Sequence, residues 1–243
     1  MPKRPGGSSG SGRELRRREK LLIITIDGPA GAGKSTVAQR LARRLNLLYL
    51  DTGAMYRAVA LQALREKIDP TDELALDRLC KKISISFAED PRGQRVFLQG
   101  EDVTERIREP EVGWMASAVS LKRPVREAMV ALQRGMASQG GLVAEGRDTG
   151  TVVFPRAEAK FFLVADPRER ALRRFRELKA RGKEAFLEEV EGEVRKRDDQ
   201  DSSRDLAPLK PAEDAYRIDS TGLSPEEVVE KMLKILGKTS LSR

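Results

Sequence analysis

The stretch from Ile26 to Thr36, IDGPAGAGKST, constrains the fold of this chain more than any other. Gly28, Gly33, Lys34 and Ser35 stand at the spacing G-x-x-x-x-G-K-[ST]. In that pattern the glycines let backbone N–H groups curl around phosphate oxygens while the lysine reaches the terminal phosphates. The context fits. The β-branched run LLIITID precedes the loop, and KSTVAQRLARRLN, apolar at helical spacing, follows it. Strand, phosphate loop and helix in that order open a parallel α/β sheet. Gly28, Pro29, Ala30, Gly31, Ala32, Gly33, Lys34, Ser35 and Thr36 are therefore expected to cradle a nucleoside triphosphate, ATP, at the positive end of a helix. The Ser35 hydroxyl is the expected protein ligand of Mg²⁺.

The α/β rhythm continues. LLYLD reads as a second strand, AMYRAVALQALREK as the helix after it, and GLVAE and KFFLVA as further strands. In DPRERALRRFRELKARG, Asp166, Pro167 and Glu169 predict a capping box at a helix start. SPEEVVEKMLKILG repeats the device with Ser224, Pro225 and Glu227 and predicts a stop at Gly237. One region departs from the pattern: ISISFAEDPRGQRVFLQGEDV alternates apolar and polar residues on both sides of a Pro/Gly turn and predicts an antiparallel hairpin. Residues 70–115 are expected to form an insert on a core made of 21–69, 116–165 and 205–239. Trp114 and the residues around Met115 are expected to pack that insert to the core.

Composition narrows the chemistry. With no histidine in 243 residues, a Ser-His-Asp or Cys-His relay and a His-ligated metal are excluded. Catalysis must run on Arg, Lys and carboxylates, which suits phosphoryl transfer. The single cysteine, Cys80, excludes an internal disulfide. No apolar run approaches the roughly 20 residues that span a bilayer, and a cytoplasmic protein without a membrane partner is expected. Of the formal charge of +8, residues 1–20 carry +5 beside the linker-like GGSSGSG. That composition predicts a disordered basic arm separate from the fold, and nucleic acid is not the expected partner.

Three further clusters lie at strand ends or on charged segments. YLDTGAMYR follows the second strand with Thr52 and Arg57, LVAEGRDTGTVVF places Arg147 and Asp148 past another, and RKRDDQDSSR carries Arg197, Asp201 and Arg204. Ligands of open α/β sheets collect at such carboxyl ends. At these residues the chain resembles the bacterial cytidylate kinases, from about Ile23 to Leu236, through GPAGAGKST, DTGAMYR, AEGRDTGTVVFP, RDDQDSSR and DSTGLS. The resemblance implies a nucleoside monophosphate kinase fold: a parallel-sheet core, a mobile lid, here 166–204, and an inserted sheet for CMP. It also implies that Thr52, Arg126 and Asp148 meet the cytosine. Arg57, Arg147 and Arg204 would hold the CMP phosphate, and Ser117, Arg197 and Asp201 would approach the ribose. Thr52 stands where some members carry serine, and Gln200 where some carry arginine.

Base chemistry agrees with that assignment. Cytosine offers an amino donor beside two acceptors, so its reader needs an acceptor such as Asp148 and a donor such as Arg126. Uracil reverses positions 3 and 4, and each buried mispairing costs about 1–3 kcal/mol. CMP and dCMP are thus the expected acceptors. Their phosphate is already a dianion, so no side chain need deprotonate it. Lys34, Arg57, Arg147 and Arg204 would neutralise charge in the transfer from ATP. Of Arg168, Arg170, Arg173, Arg174, Arg176 and Arg181 on the lid helix, Arg173 and Arg174 are the expected contacts to ATP. Two other readings remain at this stage: a different small-molecule kinase on the same fold, or a nucleic-acid-dependent P-loop ATPase. A GTPase is disfavoured by the lack of an N-K-x-D motif. A monomer is expected.

Overall fold

The computed structural model describes residues 22–90, 93–138, 140–180 and 182–240. The basic arm, the hairpin turn residues Pro91 and Arg92, and Arg181 lie outside the described residues. The predicted opening is in place: β1 (Ile23–Asp27), the phosphate loop, α1 (Lys34–Leu45) and β2 (Leu48–Asp51). Next come α2 (Thr52–Arg65), capped by Asp51, whose carboxylate accepts from Ala54 N at 2.9 Å, and α3 (Glu73–Lys82), capped in the same way by Asp72. The predicted hairpin is β3 (Ile85–Asp90) and β4 (Gly93–Leu98), antiparallel, with β5 (Glu101–Asp102) adding a third strand. α4 (Pro110–Val119) and α5 (Arg123–Ala137) return the chain to β6 (Leu142–Gly146). A π-helical turn, Thr149–Val153, leads to β7 (Ala159–Val164), α6 (Pro167–Ala180), α7 (Leu187–Ser203), β8 (Tyr216–Asp219) and α8 (Pro225–Ser240).

The five long-range strands form one parallel sheet in the order β2-β6-β1-β7-β8. β1 sits at its centre, where the connections reverse direction. From β1 the chain runs through α1 to β2 at one edge, and from β6 it crosses to β7 on the other side of β1. A crevice therefore opens at the carboxyl ends of β1 and β6, and the phosphate loop stands in it. Alternate residues serve the two faces. On one face Ile24, Ile26, Phe161 and Leu163 pack with Val37 and Leu41 of α1 and Val228 and Met232 of α8. On the other, Leu142 and Ala144 pack with Met55, Met129 and Val119, and this cluster continues through Leu98 and Val96 into the three-stranded sheet. Helices α6 and α7 meet over a third, small cluster of Ala171, Val190 and Val194.

Three local expectations are corrected. Trp114 is 68% exposed, because Val112, Met115, Ala116 and Val119 are the residues that α4 buries and position 114 lies on the opposite side. Gly237 does not end α8, which runs through it to Ser240. The capping box at Asp166 is half made. Its carboxylate accepts from Arg168 N at 2.9 Å and Glu169 N at 3.3 Å, but Asp166 N goes to Thr221 Oγ1 and Glu169 pairs with Arg173 instead. At Ser224 the box is complete, with Ser224 N donating to Glu227 at 2.8 Å and Glu227 N to Ser224 Oγ at 3.3 Å.

Candidate active site

The loop between β1 and α1 is shaped by close approach. A Cβ on Gly28 (φ 149°) would lie 2.0 Å from the Leu163 carbonyl oxygen of β7, and one on Gly31 (φ 74°) 2.8 Å from the Arg170 carbonyl oxygen of α6. Only glycine lets the loop thread between β7 and α6. Gly33, left-handed, caps α1, and no carboxylate stands in that helix's first turn, so its positive end is available to an anion. Lys34 is 6% exposed and donates to the Pro29 carbonyl at 2.8 Å. Burial, with Arg147 and Arg197 nearby, holds its ammonium well below the ordinary lysine range, against the opposing pull of Glu145 and Asp201.

Glu145 is the residue the sequence reasoning missed on this side. It is buried on β6, takes a hydrogen bond from the Tyr49 hydroxyl, and stands close enough to Lys34 and Ser35 to interact with both. Burial raises its pKa, as does Asp51, while Lys34 and Ser35 oppose the rise. Ser35 and Glu145 are thus the side chains able to share a divalent cation. Among the described residues no group of three or more acidic, Cys or His side chains comes together as a cation cage. A hydroxyl with one carboxylate, completed by water and phosphate oxygens, is the donor set that Mg²⁺ takes in nucleotide sites.

The acceptor candidates converge on the other wall of the crevice. Arg126 of α5 and Asp148, just past β6, form a buried ion pair, and the Arg126 guanidinium also lies 5.9 Å from the Tyr56 ring centroid. Arg204, at the end of α7, has Nη2 3.8 Å from Asp148 and Nη1 3.9 Å from Asp201, and its Nε donates to the Ala207 carbonyl at 2.6 Å. Its Nη2 is buried without a hydrogen bond. Arg147 Nε donates to Asp201 at 2.6 Å. Burial raises the Asp201 pKa, but Arg147, Arg197 and Arg204 together outweigh it and hold the carboxyl below its usual range. Thr52 Oγ1 donates to the Glu145 carbonyl at 2.7 Å, and Arg57 Nη1 to that of Ile107 at 3.3 Å. Ser117 bonds back to Gly113 within α4, one turn before Ser120, whose carbonyl accepts from Arg126 at 3.3 Å.

The cations press on one another. Arg197 is pushed down to about 10 by burial and by Arg147, Arg57 and Arg174, and Arg57 is lowered by burial and by Arg174, Arg108 and Arg147. Lys34, Arg57, Arg147, Arg174 and Arg197 therefore share one electrostatic neighbourhood, and Arg204, lowered by burial and by Arg126 and Arg147, adjoins it. Arg174 pairs with Glu177 at 2.9 Å. Arg173 lies against the phosphate loop, donating to the Ser220 carbonyl at 2.8 Å and Ser220 Oγ at 3.1 Å. Arg170, 5% exposed, is a further tie the sequence did not single out: it donates to the Ala30 carbonyl at 3.0 Å and pairs with Asp198 of α7 at 2.6 Å. No helix among the described residues is long and apolar enough to cross a membrane.

Comparison with known proteins agrees with this geometry. The family model described as cytidylate kinase matches residues 24–238. The cytidylate kinase of Geobacter sp. (strain M21) is 53% identical over 215 residues, covering 88% of this chain and 92% of that one. That of Enterococcus faecalis is 51% identical over 215 residues, covering 88% and 95%. Among solved structures, an uncharacterized protein from Eubacterium ventriosum superposes with a TM-score of 0.51 at 12% identity, covering 89% of this chain and 98% of that one, a likeness of fold alone.

Proposed function

This chain belongs to the cytidylate kinase family, and from that premise we propose how its residues divide the work of moving the γ-phosphoryl group of ATP to CMP. The fold is that of a nucleoside monophosphate kinase, and the reaction is ATP-dependent phosphorylation of CMP to CDP. The loop Gly28–Thr36 holds the ATP phosphates through backbone N–H groups and Lys34. Ser35, with Glu145 beside it, would hold Mg²⁺, which when bound would screen the phosphate charge. Arg126 and Asp148 read the cytosine edge as donor and acceptor, with the Thr52 hydroxyl beside them. Arg57, Arg147 and Arg204 hold the acceptor phosphate, and Ser117, Arg197 and Asp201 approach the ribose. Arg173 and Arg174 approach ATP from the lid, residues 166–204.

One observation carries the reading most: Lys34 of α1, Arg57 of α2 and Arg197 of α7 are held below their usual pKa ranges by burial and by neighbouring cations, Arg147 of the turn after β6 acting on all three. Mutually repelling buried charges are relieved by polyanions placed among them. Two nucleotides meeting by their phosphates supply that relief, and more of it as charge spreads over the transferring oxygens. The acceptor dianion attacks in line, the bond from the γ-phosphorus to the bridging oxygen breaks, and ADP leaves carrying the electron pair. Closure of α6 and α7 over the donor excludes water and so suppresses hydrolysis of ATP.

An acceptor screen with ATP, reading ADP release, tests this. CMP is expected to give the highest kcat/KM, with dCMP next and UMP lower by about tenfold or more, given two mispaired groups. AMP or UMP outperforming CMP would sink the assignment of Arg126 and Asp148.

A further inference from the structure

We propose that Asp27, which no step above uses, is a positioning residue: it ties the donor loop to the acceptor turn and so sets where Arg147 and Asp148 stand. The inference rests on the reading that those two residues face CMP. Asp27 is the last residue of β1, directly before Gly28, and its Cα partner across the sheet is Gly146, directly before Arg147. It is 4% exposed. Both of its carboxylate oxygens are used. Oδ1 accepts from Thr149 N at 2.9 Å and Thr149 Oγ1 at 2.7 Å, and Oδ2 accepts from Gly150 N at 2.7 Å.

Those donors begin the π-helical turn Thr149–Val153, and Asp148 just before it is in neither strand nor helix (φ −143°, ψ 20°). The sheet ladder ends at Gly146, and the π-helical turn that follows is tied within itself, Val152 N donating to the Asp148 carbonyl at 2.8 Å and Phe154 N to that of Thr149 at 2.7 Å, which leaves the Thr149 and Gly150 N–H groups for β1. The Asp27 carboxylate is what fastens it from below. Packing tightens the same joint: a Cβ on Gly150 would lie 2.8 Å from Thr25 Oγ1 and 3.3 Å from Asp27 Oδ2, so the turn rests directly on β1. One side chain thus spans the crevice floor, with phosphate-loop backbone on its one side and the cytosine and phosphate contacts on the other. Charge alone does not explain the choice of residue. An asparagine would keep the shape but set an amide N–H₂ against one of three donors, and a buried donor facing a donor is costly.

The test is Asp27→Asn, assayed at a temperature well below its Tm for the KM of CMP and of ATP and for the ratio of kcat/KM with CMP to that with UMP. The KM for CMP is expected to rise about tenfold and the CMP:UMP ratio to fall several-fold, with the KM for ATP within about twofold of wild type. A residue that merely stabilises the fold would lower Tm and leave that ratio alone. Equal losses on both substrates, or an unchanged ratio, overturn the proposal. Should Asp27→Asn not fold, Thr149→Val carries the test. It removes one of the three hydrogen bonds and is expected to shift the ratio in the same direction by about threefold, while Thr149→Ser restores it. Thr149→Val matching wild type in the ratio also overturns the proposal. Asp148→Asn is run beside them. If it moves the CMP:UMP ratio while the other variants do not, this inference alone falls; if it too leaves the ratio unmoved, the acceptor reading fails beneath it.

Discussion

In the proposed division of residues, the two walls of the crevice recognise their ligands in opposite ways. The donor wall is a contiguous loop whose backbone would do the binding, with Gly28 and Gly31 pressed against Leu163 and Arg170 and one buried lysine. The acceptor wall has no contiguous motif. It is assembled from Thr52 and Arg57 of α2, Ser117 of α4, Arg126 of α5, the turn after β6 and the last turns of α7, and it is held by ion pairs in which each member orients the next. Backbone N–H groups are blind to which nucleobase carries the phosphates. Paired side chains on irregular backbone are not, since removing one strands its partner in a buried site. Damage to the donor wall should therefore lower turnover with every acceptor alike, whereas damage to the acceptor wall should discriminate among acceptors.

Lys34→Ala is the largest expected break. Losing a buried charge beside the transferring phosphate is expected to cut kcat by about 10²–10³ with CMP, dCMP and UMP equally, as seen in steady-state rates at saturating substrate. A loss that differed strongly between CMP and UMP would mean that the donor wall is not blind to the acceptor. Asp148→Asn is the converse and should be smaller. It strands Arg126 and takes from Arg204 its nearest carboxylate, at 3.8 Å. The kcat/KM for CMP is expected to fall by about ten- to a hundredfold, while the KM for ATP stays within about twofold. Equal loss on both substrates would erase the distinction between the walls.

The same contrast explains what could be read from the residues in order. A phosphate loop is a local pattern of glycine conformations and one lysine, so its strand, loop and helix could be placed from the sequence, as could the antiparallel hairpin. Arg57, Arg147, Arg197 and Arg204 stand out in the sequence only as a set, past strand ends and on a charged segment, and their roles come from the resemblance of the motifs around them to a known family; singly, each matches an ordinary surface arginine. Asp27, Glu145 and Tyr49 carry no local signal, and nothing sets Arg170 apart from the other arginines of its helix, because their importance comes from partners 96 to 140 positions away, 122 for Asp27 with Thr149. No local periodicity records such pairings. Trp114 was misplaced for a related reason: aromatic character argued for burial, but the phase of α4 is set by Val112, Met115, Ala116 and Val119. At Asp166 the acidic residue three positions on had a competing partner, Arg173 at 3.1 Å, that a capping pattern does not register.

The finest division of the comparison lies at Thr52, where the two walls nearly touch. Its hydroxyl donates to the carbonyl of Glu145, the carboxylate of which stands beside Lys34 and Ser35, so a single residue of β6 faces both walls. The donated hydrogen fixes the rotation of the hydroxyl and leaves its lone pairs to accept, which in the proposed reading they do from the cytosine amino group. A Cβ on Gly146 would come within 2.6 Å of this oxygen, so nothing larger than glycine lets the hydroxyl sit there. Thr52→Val keeps the volume and removes both the donation and the acceptor, an interaction worth about 0.5–1.5 kcal/mol. The KM for CMP is therefore expected to rise about two- to tenfold, with the ATP parameters unchanged. Thr52→Ser retains the oxygen and should stay within about twofold of wild type. If serine fails as badly as valine, the γ-methyl group rather than the hydroxyl supports the acceptor wall; if the KM for ATP rises with that for CMP, Glu145 transmits the change to the donor side and the walls are not independent at this joint.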